Sequence, residues 1–254
     1  MKINSESNSL QILKAMQESQ KELKDSTEKL SSGSSINKAS DNPAGLVVSE
    51  KMRAQIAALG QELENLDNTN NKLTTADGDL ATMQSSLQEM RNVALAAANE
   101  GGNSKESQQS YQENLNNAVE SYNQTVENSA YGTQQLFDGT SGSVADLEKM
   151  ANLDVSTPEK AEEAVAAIDQ KIQEVSETRA DIGATQKAEI STAKNNVQTA
   201  MANLTASEST VSDTDMAKEY VNIVKNEMQL KASTAMLAQQ NQIPNLVLNF
   251  LQSE

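Results

Sequence analysis

Apolar residues recur every seven positions through much of the chain. One such column begins at Met52 and continues as Leu59, Leu66, Leu73, Leu80, Leu87 and Ala94. A second apolar column runs beside the first. Its members lie four residues after those of the first column up to Asn70, and three residues after them beyond Asn70. A mean spacing of about 3.5 residues is typical of helices that pack along their length. We therefore predict a helix over residues 44–99, about 80 Å long at about 1.5 Å per residue, whose packing partner changes along its course.

Two further segments supply partners for this helix. Residues 105–130 and 159–207 carry apolar residues at helical spacing, namely Tyr111, Leu115, Val119, Tyr122, Val126, Val165, Ile168, Ile172, Val175, Ile182, Ile190, Val197 and Leu204. Gly101 and Gly102 predict a turn between antiparallel neighbours, and Thr157 before Pro158 predicts a helix N-terminus. The pattern predicts a bundle of about three rods, with a short irregular cap at 132–157.

The two ends of the chain each carry the pattern of one amphipathic helix, and no third helix is left to cover either of them. The C-terminal segment also finishes in an apolar cluster, and exposed apolar clusters mark interaction sites. We therefore predict that the ends pair with each other as a coiled coil and contact neighbouring copies of the chain. The residues predicted to form this assembly interface are Ile3, Leu10, Met16, Leu23, Leu30, Ile223, Leu230, Leu237, Leu246, Phe250 and Leu251.

The predicted fold is all-α, a long-helix bundle with terminal helices that pair as a coiled coil and the irregular cap at 132–157. The predicted domains are a terminal-helix domain, residues 1–32 with 212–254, a linker over 33–43, and the helical bundle over 44–211. A leucine column in the bundle indicates ordinary core. In the terminal segments it favours contacts between subunits, because no third helix remains to bury it.

The composition excludes several classes of function. Hydrophobic residues make up 37% and aromatic residues 2% of the 254 residues, which argues against an aromatic-anchored sandwich or barrel. The chain has no Cys and no His, so disulfides, thiol chemistry, the usual zinc sites and Ser-His-Asp catalysis are excluded. A net charge of −16 argues against nucleic acid and anionic membranes as partners, because both attract clustered Lys and Arg.

Candidate chemistry is sparse. Asp213 and Asp215 could form a carboxylate pair for a metal, but acidic residues at a helix start are the commoner explanation. No nucleophile–base pair or phosphate-binding loop is found. We therefore expect no enzyme, no metal and no cofactor. The N-terminal residues also lack the apolar stretch of a secretory signal peptide, and no apolar run approaches the roughly 18 residues of a membrane span.

Four stretches of the chain are distinctive when taken together. They are residues 30–33 with 36–46 and 49–56, residues 90–99, residues 179–184, and residues 212–217 with 237–244. In this order they resemble bacterial flagellin, and the resemblance covers nearly the whole chain. Many flagellins carry inserted outer domains in the middle of the sequence, where this chain has only residues 132–157. The chain is therefore similar to a short flagellin without outer domains.

This resemblance implies a structural subunit of the bacterial flagellar filament, which self-assembles through its terminal helices and serves motility. It implies a homopolymer, with an export chaperone, a filament cap protein and hook-associated junction proteins as further partners. It also implies an extracellular location after export without a cleaved signal peptide. A hook–filament junction protein shares the terminal helices and is the nearest alternative. A secreted coiled-coil binding module would explain the heptads but not the four stretches.

The chain departs from the family pattern at several positions. Ser35 and Thr210 stand where the family often has arginine, so the salt bridges of those arginines must be replaced or absent. Many flagellins are also detected by Toll-like receptor 5 through a stretch that typically has the sequence Leu-Gln-Arg-x-Arg-Glu-Leu. By resemblance, the face turned to this receptor comprises Leu87, Gln88, Glu89, Arg91, Val93 and Asn114. Glu89 replaces an arginine, Val93 a leucine and Asn114 a supporting glutamate, which predicts weak or absent activation of the receptor.

Overall fold

The computed structural model describes the backbone of residues 2–99 and 104–251, and the side chains of residues 7–99 and 104–242. The helices are α1 (Lys2–Ser32), α2 (Pro43–Ala97), α3 (Lys105–Asn128), α4 (Pro158–Ala184), α5 (Ser191–Ser212) and α6 (Met216–Leu251). A π-helical segment, Thr185–Ile190, joins α4 to α5, and two short strands, β1 (Ala130–Tyr131) and β2 (Gln134–Gln135), follow α3. The predicted all-α, long-helix fold is confirmed. The predicted turn after α2 includes residues 100–103, which lie outside the described residues.

Local capping explains where two of the long helices begin. The N–H of Gly45 donates to Oδ1 of Asn42 at 2.9 Å, so Asn42 caps the first turn of α2. A Cβ atom at Gly45 would lie 2.5 Å from Nδ2 of Asn42 and 2.8 Å from Cδ1 of Ile36, so a larger residue there would have to displace the capping side chain. The Thr157 hydroxyl accepts from the N–H of Lys160, and Pro158 occupies the first turn of α4, as the sequence predicted.

The chain forms two compact units. One comprises residues 1–58 and 200–254, and contains α1 and α6; the other comprises residues 59–199, and contains α3, both strands and α4. The division into terminal helices, linker and bundle given by the sequence remains a prediction.

The described residues of the unit 59–199 form one apolar core. The two columns of α2 enter it from Leu73 onwards, and α3 and α4 each add an apolar face. The buried members from these helices are Leu73, Ala76, Leu80, Met83, Leu87, Met90, Ala94, Ala97, Leu115, Ala118, Val119, Tyr122, Val126, Ala161, Ala164, Ile168, Val175 and Ile182. The heptad columns therefore describe the core face of the long helix, as expected from their spacing.

The segment predicted as an irregular cap contributes to this core. Strands β1 and β2 pair antiparallel, with Ala130 opposite Gln135, and Gly132 takes a φ of +66° in the turn between them. Beyond the hairpin, Leu136 and Phe137 are fully buried, and Leu147, Met150 and Val155 are buried as well. The cap is thus part of the core, although it has almost no regular secondary structure.

Two amide side chains of α3 hold the cap in place. The Asn123 side chain donates to the carbonyl of Met150 at 2.9 Å and accepts from the N–H of Met150 at 2.8 Å. The Gln112 side chain likewise donates to the carbonyl of Leu153 at 2.7 Å and accepts from the N–H of Val155 at 2.8 Å. These bonds satisfy backbone groups that no helix or sheet pairs.

The hydroxyl of Tyr122 is an unfavourable feature of the core. The residue is fully buried, and within the described part of the chain its hydroxyl has no hydrogen-bond partner. Burial, with a smaller effect of Glu174, raises the pKa of Tyr122 to about 12. An unfolded tyrosine ionises near pH 10, so below that pH the phenol is neutral in both the folded and the unfolded chain and its ionisation does not affect stability. As the pH rises from 10 towards 12, the unfolded chain ionises first, and the free energy of unfolding falls.

We therefore expect Tyr122→Phe to stabilise the protein by about 1 kcal/mol at pH 7, because it removes an unpaired buried hydroxyl. The stability difference should widen by about 1 kcal/mol more at pH 11. Urea denaturation at the two pH values measures both effects, and Tyr220→Phe, at a site that is 61% exposed, serves as the control. A loss of stability in Tyr122→Phe would indicate a bonding partner for the hydroxyl and contradict this interpretation.

Candidate assembly interface

Helices α1 and α6 pack against each other in antiparallel orientation. Gly33 ends α1 with a φ of +72°, a left-handed conformation that favours glycine. Ser34 then forms an antiparallel bridge with Asp213, just before α6 begins. The N–H of Thr214 donates to the carbonyl of Gly33 at 3.0 Å, and the N–H of Ser35 donates to the carbonyl of Ser212 at 2.6 Å. The end of α1 and the start of α6 are therefore fixed side by side, and the helices run together from that point.

Small polar residues occupy the centre of this helix pair. Ser19 and Ser26 on α1 are buried, as are Asn226 and Ser233 on α6, and the members of each pair are seven residues apart. The apolar residues of the same seams, Ile12, Met16, Leu23, Leu30, Ile223, Leu230 and Leu237, are half-buried. In the part of the chain that the structure describes, no third helix packs along this pair, so these large side chains are only half enclosed and the pair retains apolar surface.

The structure thus separates the predicted interface residues into three groups. It places Met16, Leu23, Leu30, Ile223, Leu230 and Leu237 half-buried on the paired helices. It leaves Leu10 on α1 57% exposed. The side chains of Ile3, Leu246, Phe250 and Leu251 lie outside the described residues, although their backbone belongs to α1 and α6. Ser19, Ser26, Asn226 and Ser233 were not predicted, because a search for apolar columns passes over polar ones of the same period.

A second apolar surface lies on α6. Tyr220, Val221 and Met228 are each more than 60% exposed, and with Val224 they line an open groove; this group is called the outer patch of α6. Met216 and Met236 on the same helix are also about half exposed. Within the described residues, nothing in this unit covers the outer patch, and apolar patches of this kind mark contact sites.

A charged cluster links the start of α2 to the end of α5. Nε of Arg53 donates to Oε1 of Glu208 at 2.8 Å, and the Ser49 hydroxyl donates to the same oxygen at 2.8 Å. The Arg53 guanidinium also reaches the hydroxyl of Ser212 at 3.1 Å. Where the family pattern has arginine, Ser35 bonds through its backbone to Ser212 and through its hydroxyl to the carbonyl of Val211. Hydrogen bonds from Ser35 and from the side chain of Arg53 thus connect the linker and the start of α2 to the end of α5.

The linker between α1 and α2 has its own ordering contact. The carboxylate of Asp41 accepts from the N–H groups of Lys38, at 2.9 Å, and Asn37, at 3.0 Å. These bonds lower the pKa of Asp41, because they stabilise its charged form. The linker therefore has a defined turn at this point.

The predicted receptor-facing residues lie within the unit of residues 59–199. Gln88, Glu89 and Asn114 are exposed, and Val93 is half-buried. Arg91 is half-buried and donates to Asp169 at 2.6 Å, and this bond raises the pKa of Arg91.

Leu87 is the remaining member of the receptor-facing set given by resemblance. It is fully buried because it belongs to the core column of α2, so its side chain supports the exposed face from beneath.

The acidic pair near α6 has structural roles. Oδ1 of Asp215 accepts from the N–H groups of Ala217 and Lys218, at 3.0 and 3.1 Å, which is the helix-start role expected from the sequence. The hydroxyl of Ser209 donates to Asp213. Among the described residues, no group of three acidic side chains could hold a metal ion. No helix in this described part is long and apolar enough to cross a membrane.

Comparison with known proteins gives consistent matches along the chain. Residues 3–142 match the model of the bacterial flagellin N-terminal helical region, and residues 165–251 match that of the bacterial flagellin C-terminal helical region. A flagellin of Halalkalibacterium halodurans is 37% identical, covering 88% of this chain and 90% of its own. A flagellar filament 31.3 kDa core protein of Treponema maltophilum is 32% identical over 89% of this chain and 91% of its own. A flagellin of Bacillus subtilis is 30% identical over 99% of this chain and its entire length.

Proposed function

Since the chain belongs to the bacterial flagellin family and is a structural subunit of the flagellar filament, we propose that α1 and α6 are the segments through which copies of it assemble. The observation that carries this proposal is the unfinished burial of the helix pair. Its seam residues are half-buried, and Leu10 and the outer patch are exposed. A neighbouring subunit that covers these residues would complete their burial.

The proposal extends to how the chain reaches the filament. As a member of the family, the protein is located in the extracellular flagellar filament. We expect export without a cleaved signal peptide, with the terminal helices ordered only when a subunit joins the filament. A pair with buried serines and exposed leucine has a small core, so the ordering free energy has to come from assembly.

The further partners are those expected for a filament subunit. An export chaperone would cover the apolar terminal helices before assembly, and a cap protein and hook-associated junction proteins would meet the filament at its ends. We expect no catalytic activity, since the family is one of structural proteins. The relatives do not favour a hook–filament junction protein or a secreted binding module as the function of the chain itself.

The outer patch offers a direct test of the proposal. Val221→Asp places a charge at a site that is 64% exposed, so the folded subunit should keep its melting temperature. If the patch is covered in the filament, the charge loses water there, and the critical concentration for assembly should rise about 30-fold, equivalent to about 2 kcal/mol. Sedimentation of filaments over a dilution series measures this.

The matched control for this test is Asn117→Asp, which makes the same change of charge at an exposed position of α3. It should assemble as the unaltered chain does. Equal critical concentrations for Val221→Asp and the unaltered chain would show that the outer patch is not an assembly contact.

A further expectation concerns Toll-like receptor 5. Glu89 and Asn114 are exposed, and in many flagellins arginine and glutamate stand at these positions. Loss of a buried charge contact at an interface costs about 2–5 kcal/mol, so a cell reporter assay should show weak or absent activation. Glu89→Arg with Val93→Leu and Asn114→Glu should recover part of the response. A full response to the unaltered chain would mean that these positions do not decide recognition.

A further inference from the structure

The rod formed by α4 and α5 contains a π-helical interruption within the unit of residues 59–199. The segment is Thr185–Ile190, and the N–H of Ser191 donates to the carbonyl of Gln186, five residues earlier. Just before it, the N–H of Thr185 is shared between the carbonyls of Asp181 and Ile182. Such turns accommodate one more residue than an α-helical turn and often occur at functional positions.

The spacing of the buried residues shows that one extra residue is present. The rod buries Val175, Ile182, Ile190 and Val197, so successive members are seven, eight and seven residues apart. Without the widened turn, the eighth residue would rotate the following part of the rod by about 100°. Ile190 and Val197 would then leave the core face. The π turn therefore keeps the buried residues before it and after it on the same face of the rod.

Helix α2 has an irregularity of the opposite sense. Elsewhere its inward-facing positions are separated by steps of four and three residues in alternation. From Leu66 to Asn70, Leu73 and Ala76 the steps are four, three and three, and the alternation resumes afterwards. Two successive steps of three correspond to a three-residue insertion in a heptad pattern, which overwinds a helix locally. The eight-residue step in the rod corresponds to local underwinding.

The two irregularities lie side by side. Nε2 of Gln186 donates to the hydroxyl of Thr74 at 3.1 Å and to the carbonyl of Asn70 at 3.5 Å. One ion pair lies on each side of these contacts along the helices. Lys194 pairs with Asp67 on one side, and Arg179 pairs with Asp77 on the other. Gln186 therefore connects the two helices at a position between the two ion pairs.

We propose that this level, residues 70–76 of α2 with Thr185–Ile190, is a joint at which the subunit adjusts its twist. The π turn opens at a lower free energy than the flanking α-helix, since Lys187, Ala188 and Glu189 are exposed and water can bond to the backbone groups that opening would release. The inference rests on the proposed function in one respect. In a helical filament of identical subunits, a small change of twist in each copy accumulates along the assembly.

Deletion of Ala188 tests the joint. The residue is exposed, and its removal restores seven-residue spacing between Ile182 and the following isoleucine, so a continuous α-helix should replace the π turn. Hydrogen exchange of the unaltered subunit should be about tenfold faster at 185–191 than in the flanking turns. The deletion should remove this difference and leave the melting temperature unchanged or higher.

Deletion of Gln173 is the matched control. It is also exposed, but it lies in the regular part of α4, between Ile172 and Val175. Its loss should turn Val175 off the core face and lower the melting temperature strongly. An equal loss of stability in both deletions would overturn the proposal, as would uniform slow exchange through 176–199 in the unaltered chain.

Gln186→Ala examines the connection without changing the length of the chain. It should speed exchange at 185–191 further, because the bonds to Thr74 and Asn70 are lost. Filaments of the Ala188 deletion and filaments of Gln186→Ala should each differ in helical pitch from the unaltered filament under electron microscopy. Identical pitch in these three filaments would contradict a role in twist. If the unaltered chain forms no filaments, the proposed function fails, while hydrogen exchange still decides whether the joint exists.

Discussion

A chain that lacks residues 1–32 should form no filaments at concentrations where the full chain is polymerised, and a chain that lacks residues 212–254 should behave in the same way. Each deletion removes one partner of the α1–α6 pair and exposes the half-buried seam of the other. The unit of residues 59–199 keeps its own core in both variants, so each should remain a folded, helical monomer. Sedimentation measures polymer, and circular dichroism with thermal melting measures folding.

The control for both deletions is the melting transition of the unit with the apolar core. It should persist in the truncated chains, which separates loss of assembly from loss of folding. Filaments of normal appearance from either variant would show that the terminal helices are dispensable for assembly.

Leu23→Asp should raise the critical concentration for assembly by about 100-fold. Leu23 lies on α1 between the buried Ser19 and Ser26, at the seam with α6. A carboxylate at this position loses hydration without gaining an obvious partner, and a cost of about 3 kcal/mol per subunit corresponds to that factor. A dilution series followed by sedimentation gives the critical concentration directly.

Gln20→Asp makes the same change of charge three residues earlier on α1, at an exposed position. It should change the critical concentration by less than about threefold, as exposed substitutions usually do. If the two variants assembled equally well, the α1–α6 seam would not be part of the assembled state.

The sequence predicts the long helices well because a single physical signal repeats many times in them. The helix predicted over residues 44–99 is Pro43–Ala97, and its apolar columns are its core face from Leu73 onwards. Its beginning was also predictable, since Asn42 before a proline is a capping pattern. These features depend on local spacing, which one sequence contains in full.

Features that depend on tertiary packing were less accessible. The cap at 132–157 has no periodicity, so nothing in its sequence indicated that Phe137 and Val155 would be fully buried. The buried serines of the α1–α6 pair have the right spacing but the wrong polarity for a search based on apolar residues. The π turn did leave a signal, the eight-residue step from Ile182 to Ile190, but a step of this kind acquires meaning only beside the matching irregularity in α2.

Assembly through the terminal helices is tested most directly by electron microscopy of the purified chain under conditions that favour polymerisation. We expect long tubes roughly 10 to 20 nm wide, from helices about 50–80 Å long packed around a common axis. The unaltered chain should form them and Leu23→Asp should not at the same concentration. Monodisperse particles of the unaltered chain under every condition would contradict the claim that this protein assembles through its terminal helices.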